Sequence, residues 1–432
     1  MKPILMVAYH YPPEGSSSGV LRTLKFTKHL PKHGWRPHVL TLRESLYGER
    51  DEGLLRDVPP EALIHRTPAF DATRHLAIKG RHLSALAVPD RFATWWPFGV
   101  VRGLSVIRKH RIQALYSTSP LPTAHLIAMT LQSLTRVPWV ADFRDPWIEP
   151  GAYPTPGTLR CHVECALEAL VMRRASRVTV TTDRFRDDLL ARYPELAPDR
   201  VVSIFNGYDE DDFLGLETVR PSDTFELMHT GLVTPEYRDP LPLLRAIRTC
   251  IDRGEVEAGR VRVVFLGGGP YLSSPDFKTA VTDLKLDSIV RVEGRIPYRL
   301  ALQRMVGAAA LLLLQASDDT RTLIPAKAFE YLRVGRPILA LTGEGATADL
   351  VLHTAAGRVA DWTSLPAIAS TVATMYREWA VTDSRRSTGA DGGRRFERAT
   401  LTRELAEVLD SLAETPRAQR PRVPCGAREK VI

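Results

Sequence analysis

Apolar runs of strand length alternate with helical patterns along nearly the whole chain, and this alternation argues for parallel sheets with helices on both faces. The runs fall into two blocks. In the first, strands are expected at 4–8, 37–42, 114–117, 139–142, 178–181 and 201–204, with helices between them that include 21–30 and 164–174. In the second, they are expected at 226–229, 261–266, 289–292, 309–314, 337–341 and 357–359. A chain of 432 residues exceeds one typical core, so each block reads as a domain. The turn dipeptide Asn206-Gly207, the acidic stretch 209–212 and the polar run to Thr224 put the junction near residue 215. The expected domains are therefore 1–215 and 216–383. A loop and a last helix (384–414) are expected to pack back toward the amino-terminal domain. The tail, 415–432, has three Pro and five basic residues against one Glu and reads as disordered.

Composition narrows the function classes. The net charge of +8 and pI near 9.4 suit nucleic acid, anionic lipid or an anionic small substrate. Arg is spread along the chain and no nucleic-acid-binding signature is present, which argues against nucleic acid. The densest basic segment, 102–111, follows Trp95-Trp96-Pro97-Phe98. It reads either as a peripheral contact with a membrane surface or as a surface helix with an apolar inner face. Four Cys, at 161, 165, 250 and 425, are too few and scattered for a disulfide framework and fit a cytoplasmic location. The run 4–8 is too short for a signal sequence or a membrane span and reads as a buried strand.

Several strand ends carry candidate chemistry. IPAKAFEYLRVGRPILAL at 324–341 reads as a helix begun by Pro325, carrying Lys327 and Glu330 on one face, stopped at Gly335 and followed by a strand. The N–H groups at such a helix start favour an anion, and an ionised Glu330 can accept hydrogens from two sugar hydroxyls. After the first strand, Tyr9-His10-Tyr11-Pro12-Pro13-Glu14 leads into Gly15-Ser16-Ser17-Ser18-Gly19 and a helix, a small-residue loop through which backbone N–H groups can approach an anion. It is neither G-x-G-x-x-G nor a P-loop, so it signals neither dinucleotide nor ATP. VADFRDPW at 140–147 sets Asp142, Arg144 and Asp145 at a strand's carboxyl end, where ligands of open α/β sheets bind; an internal ion pair is the alternative. In the second block, Gly231 and Arg238 follow one strand, the Gly267-Gly268-Gly269 turn another, and Arg295 a third. Cys161-His162-x-x-Cys165 offers three ligand atoms on one helix with no second pair in range and does not read as a metal site. No G-x-S-x-G or H-E-x-x-H is present to support a hydrolase or metalloprotease.

As an ordered set these segments resemble the family 4 glycosyltransferases, and the resemblance runs to about residue 412. YPPEGSSSGVLR is similar to the family's amino-terminal glycine loop, VADFRDPW to the motif of one bacterial subgroup, and FNGYDEDDF to the segment entering the second domain. HTGLVTPEYRDPLPLL, VVFLGGGP, RVEGRIP and IPAKAFEYLRVGRPIL are similar to its donor-domain motifs, in order. The resemblance implies the GT-B fold, two facing Rossmann-like doubly wound domains with a cleft between them, and retaining transfer of a sugar from a nucleotide-sugar donor. Carried over by position, it implies Glu330 on the donor ribose, Gly268 and Gly269 beside the nucleotide, and Arg238 on the diphosphate. Gly231, Arg295, Thr322 and Lys327 complete the donor side. Gly15, Ser18 and Gly19 would close over the phosphate and sugar, and His10, Asp142, Arg144 and Asp145 would face the acceptor. Two positions depart from the pattern: Thr322 stands where the family has the first glutamate of a pair, and Leu232 where a second basic residue follows the glycine.

Breaking the bond between an anomeric carbon and a diphosphate places negative charge on the leaving group, so fixed cations aimed there lower the barrier. Arg238 and Lys327 are the expected stabilisers, with Asp142 and Asp145 as further catalytic candidates. No metal and no cofactor are expected. The expected partners are the donor and a glycan, lipid-linked or other glycoconjugate acceptor. Thr322 also motivates a rival, a nucleotide-sugar-binding protein that has lost turnover; a GT-B-like epimerase or phosphorylase is a third reading.

Overall fold

The computed structural model describes residues 1–17, 19–74, 87–149, 153–217, 223–317, 320–381 and 393–414. The expected Ser18 contact, most of the 384–394 loop and the 415–432 tail lie outside them. The chain divides into two compact units. The first comprises Met1–Thr181, Arg186–Phe205 and the chain from Ala399; the second comprises Thr182–Phe185 and Asn206–Arg398.

The first unit has seven parallel strands: β1 (Lys2–Val7), β2 (Trp35–Leu42), β3 (Leu63–Thr67), β4 (Ala114–Thr118), β5 (Trp139–Phe143), β6 (Arg177–Val180) and β7 (Val201–Ser203), ordered β3-β2-β1-β4-β5-β6-β7. Its helices are α1 (Val20–His29), α2 (Trp95–His110), α3 (Pro122–Thr135) and α4 (Leu159–Arg174); α5 (Asp183–Arg192) begins in the segment assigned to the second unit. Sequence reading missed β3, where His65 and Arg66 interrupt the apolar pattern. An edge strand tolerates such residues because it need not bury both faces. Gly99 and Gly103 of α2 let it approach α3 closely: a Cβ at either would fall 2.5–2.6 Å from Ile127 or Leu131.

The second unit has six parallel strands: β8 (Phe225–Thr230), β9 (Val261–Leu266), β10 (Val290–Glu293), β11 (Ala310–Gln315), β12 (Ile338–Thr342) and β13 (Gly357–Ala360), ordered β10-β9-β8-β11-β12-β13. Its helices are α6 (Pro235–Arg238), α7 (Leu241–Asp252), α8 (Pro275–Asp283), α9 (Tyr298–Gly307), α10 (Lys327–Val334), α11 (Ala346–His353) and α12 (Leu365–Val381). The run ALLLLQ of β11 is buried throughout, as a central parallel strand covered on both faces requires.

The last helix, α13 (Arg398–Glu414), belongs almost wholly to the first unit. Leu401, Leu405, Leu409 and Leu412 form one apolar stripe that joins a core with Ile4, Met6, Phe26 and Trp35. Its Asp410 accepts hydrogen bonds from Lys2 Nζ at 2.8 Å and Trp35 Nε1 at 3.0 Å.

In each sheet the chain reverses its direction of strand addition once, between β1 and β4 and between β8 and β11. Loops at the carboxyl ends of strands flanking such a reversal are where open α/β sheets hold ligands.

Candidate functional site

In the second unit, the loops after β8 and β9 are stitched together by their backbones. Gly231 N–H donates to Leu266 O at 2.7 Å and Val233 N–H to Gly268 O at 2.9 Å. Gly231, Gly267, Gly268 and Gly269 all have positive φ, from +64° to +129°. A Cβ on Gly267 would lie 3.1 Å from Gly231, so glycine is required here by conformation and by close approach together.

Against this platform sits the start of α10. Lys327 Nζ donates to the carbonyl of Thr230 and stands 3.1 Å from His229 Nε2. His229 is wholly buried, and its Nδ1 lies 3.0 Å from the carbonyl of Leu312, so that nitrogen carries the hydrogen and Nε2 accepts from the lysine. Burial, followed by the neighbouring charge of Arg238, pushes the Lys327 ammonium down to about 7. His229 is driven well below its usual range by burial and by Lys327. Arg238 on α6 donates to the carbonyl of Leu232 at 3.0 Å, and burial lowers its pKa as well. Among the described residues, neither of these two partly desolvated basic side chains has a carboxylate in salt-bridge contact.

Glu330, one helical turn on from Lys327, is half-buried and accepts from Tyr298 Oη at 2.7 Å. Burial pushes its carboxyl up, against the opposing effect of the tyrosine hydrogen bond. Tyr331, on the next position, anchors the helix by accepting from the N–H of Thr230 at 3.0 Å. One expectation needs correction: α10 starts at Lys327 and not at Pro325, and the N–H groups of Ala328 and Phe329 donate back to Pro325 and Ala326. The tight first turn spends those donors locally, so the helix start offers fewer free N–H groups than expected. Arg295 is exposed after β10, and Thr322 is half-buried, its carbonyl accepting from Thr182 Oγ1 at 2.5 Å.

In the first unit, Glu14 is buried under the loop after β1, where it accepts from Ser16 N–H at 2.9 Å and lies 2.6 Å from His10 Nδ1. Desolvation works against the carboxylate, yet these hydrogen bonds outweigh it and hold the group below its usual range. Gly15 is fixed by its N–H to Glu49 O at 3.1 Å. A Cβ on Gly19 would run into the Arg144 guanidinium, so the glycine loop and the DFRDPW segment meet. Arg144 forks onto one oxygen of Asp145, from Nε at 2.9 Å and Nη2 at 2.7 Å.

Asp142 does not face an acceptor. It is wholly buried at the end of β5 and accepts from Arg22 Nε at 2.9 Å and, at 2.7 Å each, from Arg22 Nη2, Tyr116 Oη, Thr118 Oγ1 and Thr179 Oγ1. With both oxygens saturated it has no lone pair for a substrate. The internal ion pair was the correct alternative for this residue, although its partner is Arg22 on α1 and not Arg144.

Sequence reasoning missed Arg22, His229, Tyr298 and Tyr331. Arg22 closes the YPPEGSSSGVLR segment on the inward face of α1, four residues before buried Phe26, so its position on the buried face was the available signal that it needs an internal partner. His229 is the last but one residue of a buried strand, and Tyr298 follows the RVEGRIP segment directly.

Residues 19–207 match the model of the glycosyl transferase 4-like domain. No curated protein is matched by the sequence. Among solved structures, a glycosyltransferase from Rickettsia africae aligns with a TM-score of 0.66 at 14% identity, over 96% of this chain and 99% of its own. HepE from Anabaena, solved in complex with UDP, gives 0.65 at 15%, over 95% and 100%. Sucrose-phosphate synthase from Thermosynechococcus elongatus gives 0.63 at 13%, over 95% and 99%. At such identities the likeness speaks for the fold, and two parallel α/β units of seven and six strands are the domain pair of a GT-B fold.

Proposed function

We propose that this protein is a retaining, metal-independent glycosyltransferase that moves a sugar from a nucleotide-sugar to a glycan, lipid-linked or other glycoconjugate acceptor. The observation that carries the reading is the pairing of Lys327 and Arg238, desolvated and without a contacting carboxylate, beside a four-glycine platform and one helical turn from Glu330. A diphosphate supplies the charge that pair lacks, and its leaving oxygen gains charge as the bond from the anomeric carbon to that phosphate oxygen breaks, so the same cations favour the transition state over the ground state. Glu330, held by Tyr298, accepts the ribose hydroxyls. His10, Arg144 and Asp145 serve the acceptor in the first unit. One neighbour of the same fold, HepE, was solved with UDP and with UDP-glucose, which makes UDP-sugars the first donors to test.

No helix among the described residues is long and apolar enough to cross a membrane. On α2, however, Trp96, Phe98 and Val101 are 47%, 38% and 71% exposed beside Arg102, Arg108 and Lys109, which supports a peripheral contact with an anionic membrane face at the cytoplasmic side for a lipid-linked acceptor.

A thermal-shift screen of UDP-, GDP- and dTDP-sugars, followed by nucleotide release with and without acceptor, tests the proposal. Acceptor-dependent release is expected. Binding without release for every acceptor would favour the binding-only reading that Thr322 motivates, and failure to bind any nucleotide-sugar would sink both.

A further inference from the structure

Far apart in sequence and outside every motif above, His38 on β2, His65 on β3 and His110 at the end of α2 bring one ring nitrogen each to within 4.8 Å of one another. His38 and His65 are buried, and His110 is partly exposed. His38 Nδ1 lies 3.2 Å from His65 Nε2, and the His110 ring lies 4.5 Å from that of His38 and 6.0 Å from that of His65. Imidazole nitrogens bound at about 2.0–2.1 Å in a tetrahedral shell stand about 3.4 Å apart, close to the separation already present between the first two.

We propose that His38, His65 and His110 form a binding site for a divalent transition ion of the zinc type, independent of the function proposed above. Three imidazoles fill three tetrahedral positions, and the partly exposed His110 side leaves the fourth to water. An all-imidazole set selects zinc, cobalt, nickel or copper over magnesium and calcium, which prefer oxygen. Three elements are joined by the ion: the edge strand, its neighbour and the helix that covers them. The ion therefore acts as a staple on the open edge of the sheet.

One contact competes with it. Arg102 Nη2 lies 3.3 Å from His65 Nδ1 and donates to it, which leaves the ring hydrogen on Nε2, pointing at His38. A metal on Nε2 moves that hydrogen to Nδ1 and turns Arg102 away. Arg36 and Lys109 add positive charge nearby. Affinity is consequently weaker than at a thiolate site, and Arg102 opposes binding.

The test uses the full-length protein, stripped of metal and titrated with Zn²⁺ alone, with Co²⁺ as a spectroscopic probe of tetrahedral nitrogen ligation and Mg²⁺ as a control. Saturating Zn²⁺ is expected to raise Tm by about 2–4 °C, and Mg²⁺ to leave it unchanged. His110→Ala, at the half-exposed ligand, is expected to weaken Zn²⁺ binding by at least about 10-fold, the lower range for loss of even an outer-shell partner. Arg102→Gln is expected to tighten it. Cys161 Sγ and Cys165 Sγ are 3.9 Å apart and could take zinc themselves, so Cys161→Ser/Cys165→Ser must retain the shift. The proposal is overturned if the native chain shows no Zn²⁺ shift, if His110→Ala binds as well as native, if Arg102→Gln binds more weakly, or if the cysteine variant loses the effect.

Discussion

Asp142 in the first unit and Lys327 in the second are both charged side chains placed by the carboxyl ends of central parallel strands, yet their surroundings treat them oppositely. Asp142 is met by an arginine and three hydroxyls; desolvation is the largest single influence on it, but the charge of Arg22 and the hydrogen bonds together outweigh that and hold the carboxyl below its usual range. Lys327 is met by a neutral imidazole, a carbonyl and a second cation, and its ammonium is held only weakly. A compensated charge contributes to the fold; an uncompensated one is poised to bind what compensates it. Position at a strand end does not separate the two cases. The count of partners does.

The largest expected effect sharpens that contrast. Asp142→Ala leaves Arg22 buried without its carboxylate and should destabilise the first unit by about 3–5 kcal/mol in a denaturant titration. A mild loss, with activity reduced instead, would return Asp142 to the substrate side. Lys327→Met should do the reverse, lowering kcat/KM by roughly 100-fold for loss of one transition-state donor while the ligand-free protein melts no lower than native. A large fall in Tm would break the comparison, since it would make Lys327 structural.

Titration of Lys327 gives two pH dependences of opposite sign. In the unfolded chain the group keeps its proton up to its ordinary 10.5, whereas in the folded protein it loses it near 7, so its contribution to stability rises with pH between those values. A bound diphosphate raises the group's pKa again, so donor affinity should be full below pH 7 and fall by up to about 10-fold per pH unit above it. Calorimetry in buffers of different ionisation enthalpy should register proton uptake on binding near pH 8, and buffer-independent heats would exclude Lys327 from the phosphate contact.

Smaller effects are expected at the ribose side. Glu330→Gln should weaken nucleotide binding by about 10-fold, the weight of a charge-assisted hydrogen bond, and Tyr298→Phe by about 2–5-fold, because the tyrosine only orients the carboxylate. If Tyr298→Phe proves the more damaging of the two in an equilibrium binding assay, the tyrosine touches the ligand directly and the roles exchange.

Twelve of the thirteen strands could be read in the sequence, the central ones because parallel strands buried on two faces must be nearly continuous apolar runs. β3 does not, since an edge strand can carry His65 and Arg66. The glycines at 231 and 267–269, and Lys327 and Glu330 three apart on one helix, were legible for the same local reason: backbone conformation and helical period are properties of neighbouring residues. What pairs with what was not. Arg22 reaches Asp142 across 120 positions, His229 reaches Lys327 across 98, and three histidines converge from 38, 65 and 110. Local pattern fixes which side chains arrive at a strand end; only the packed structure decides whether a charge arriving there meets an opposite charge, and with it whether the residue supports the fold or waits for a ligand.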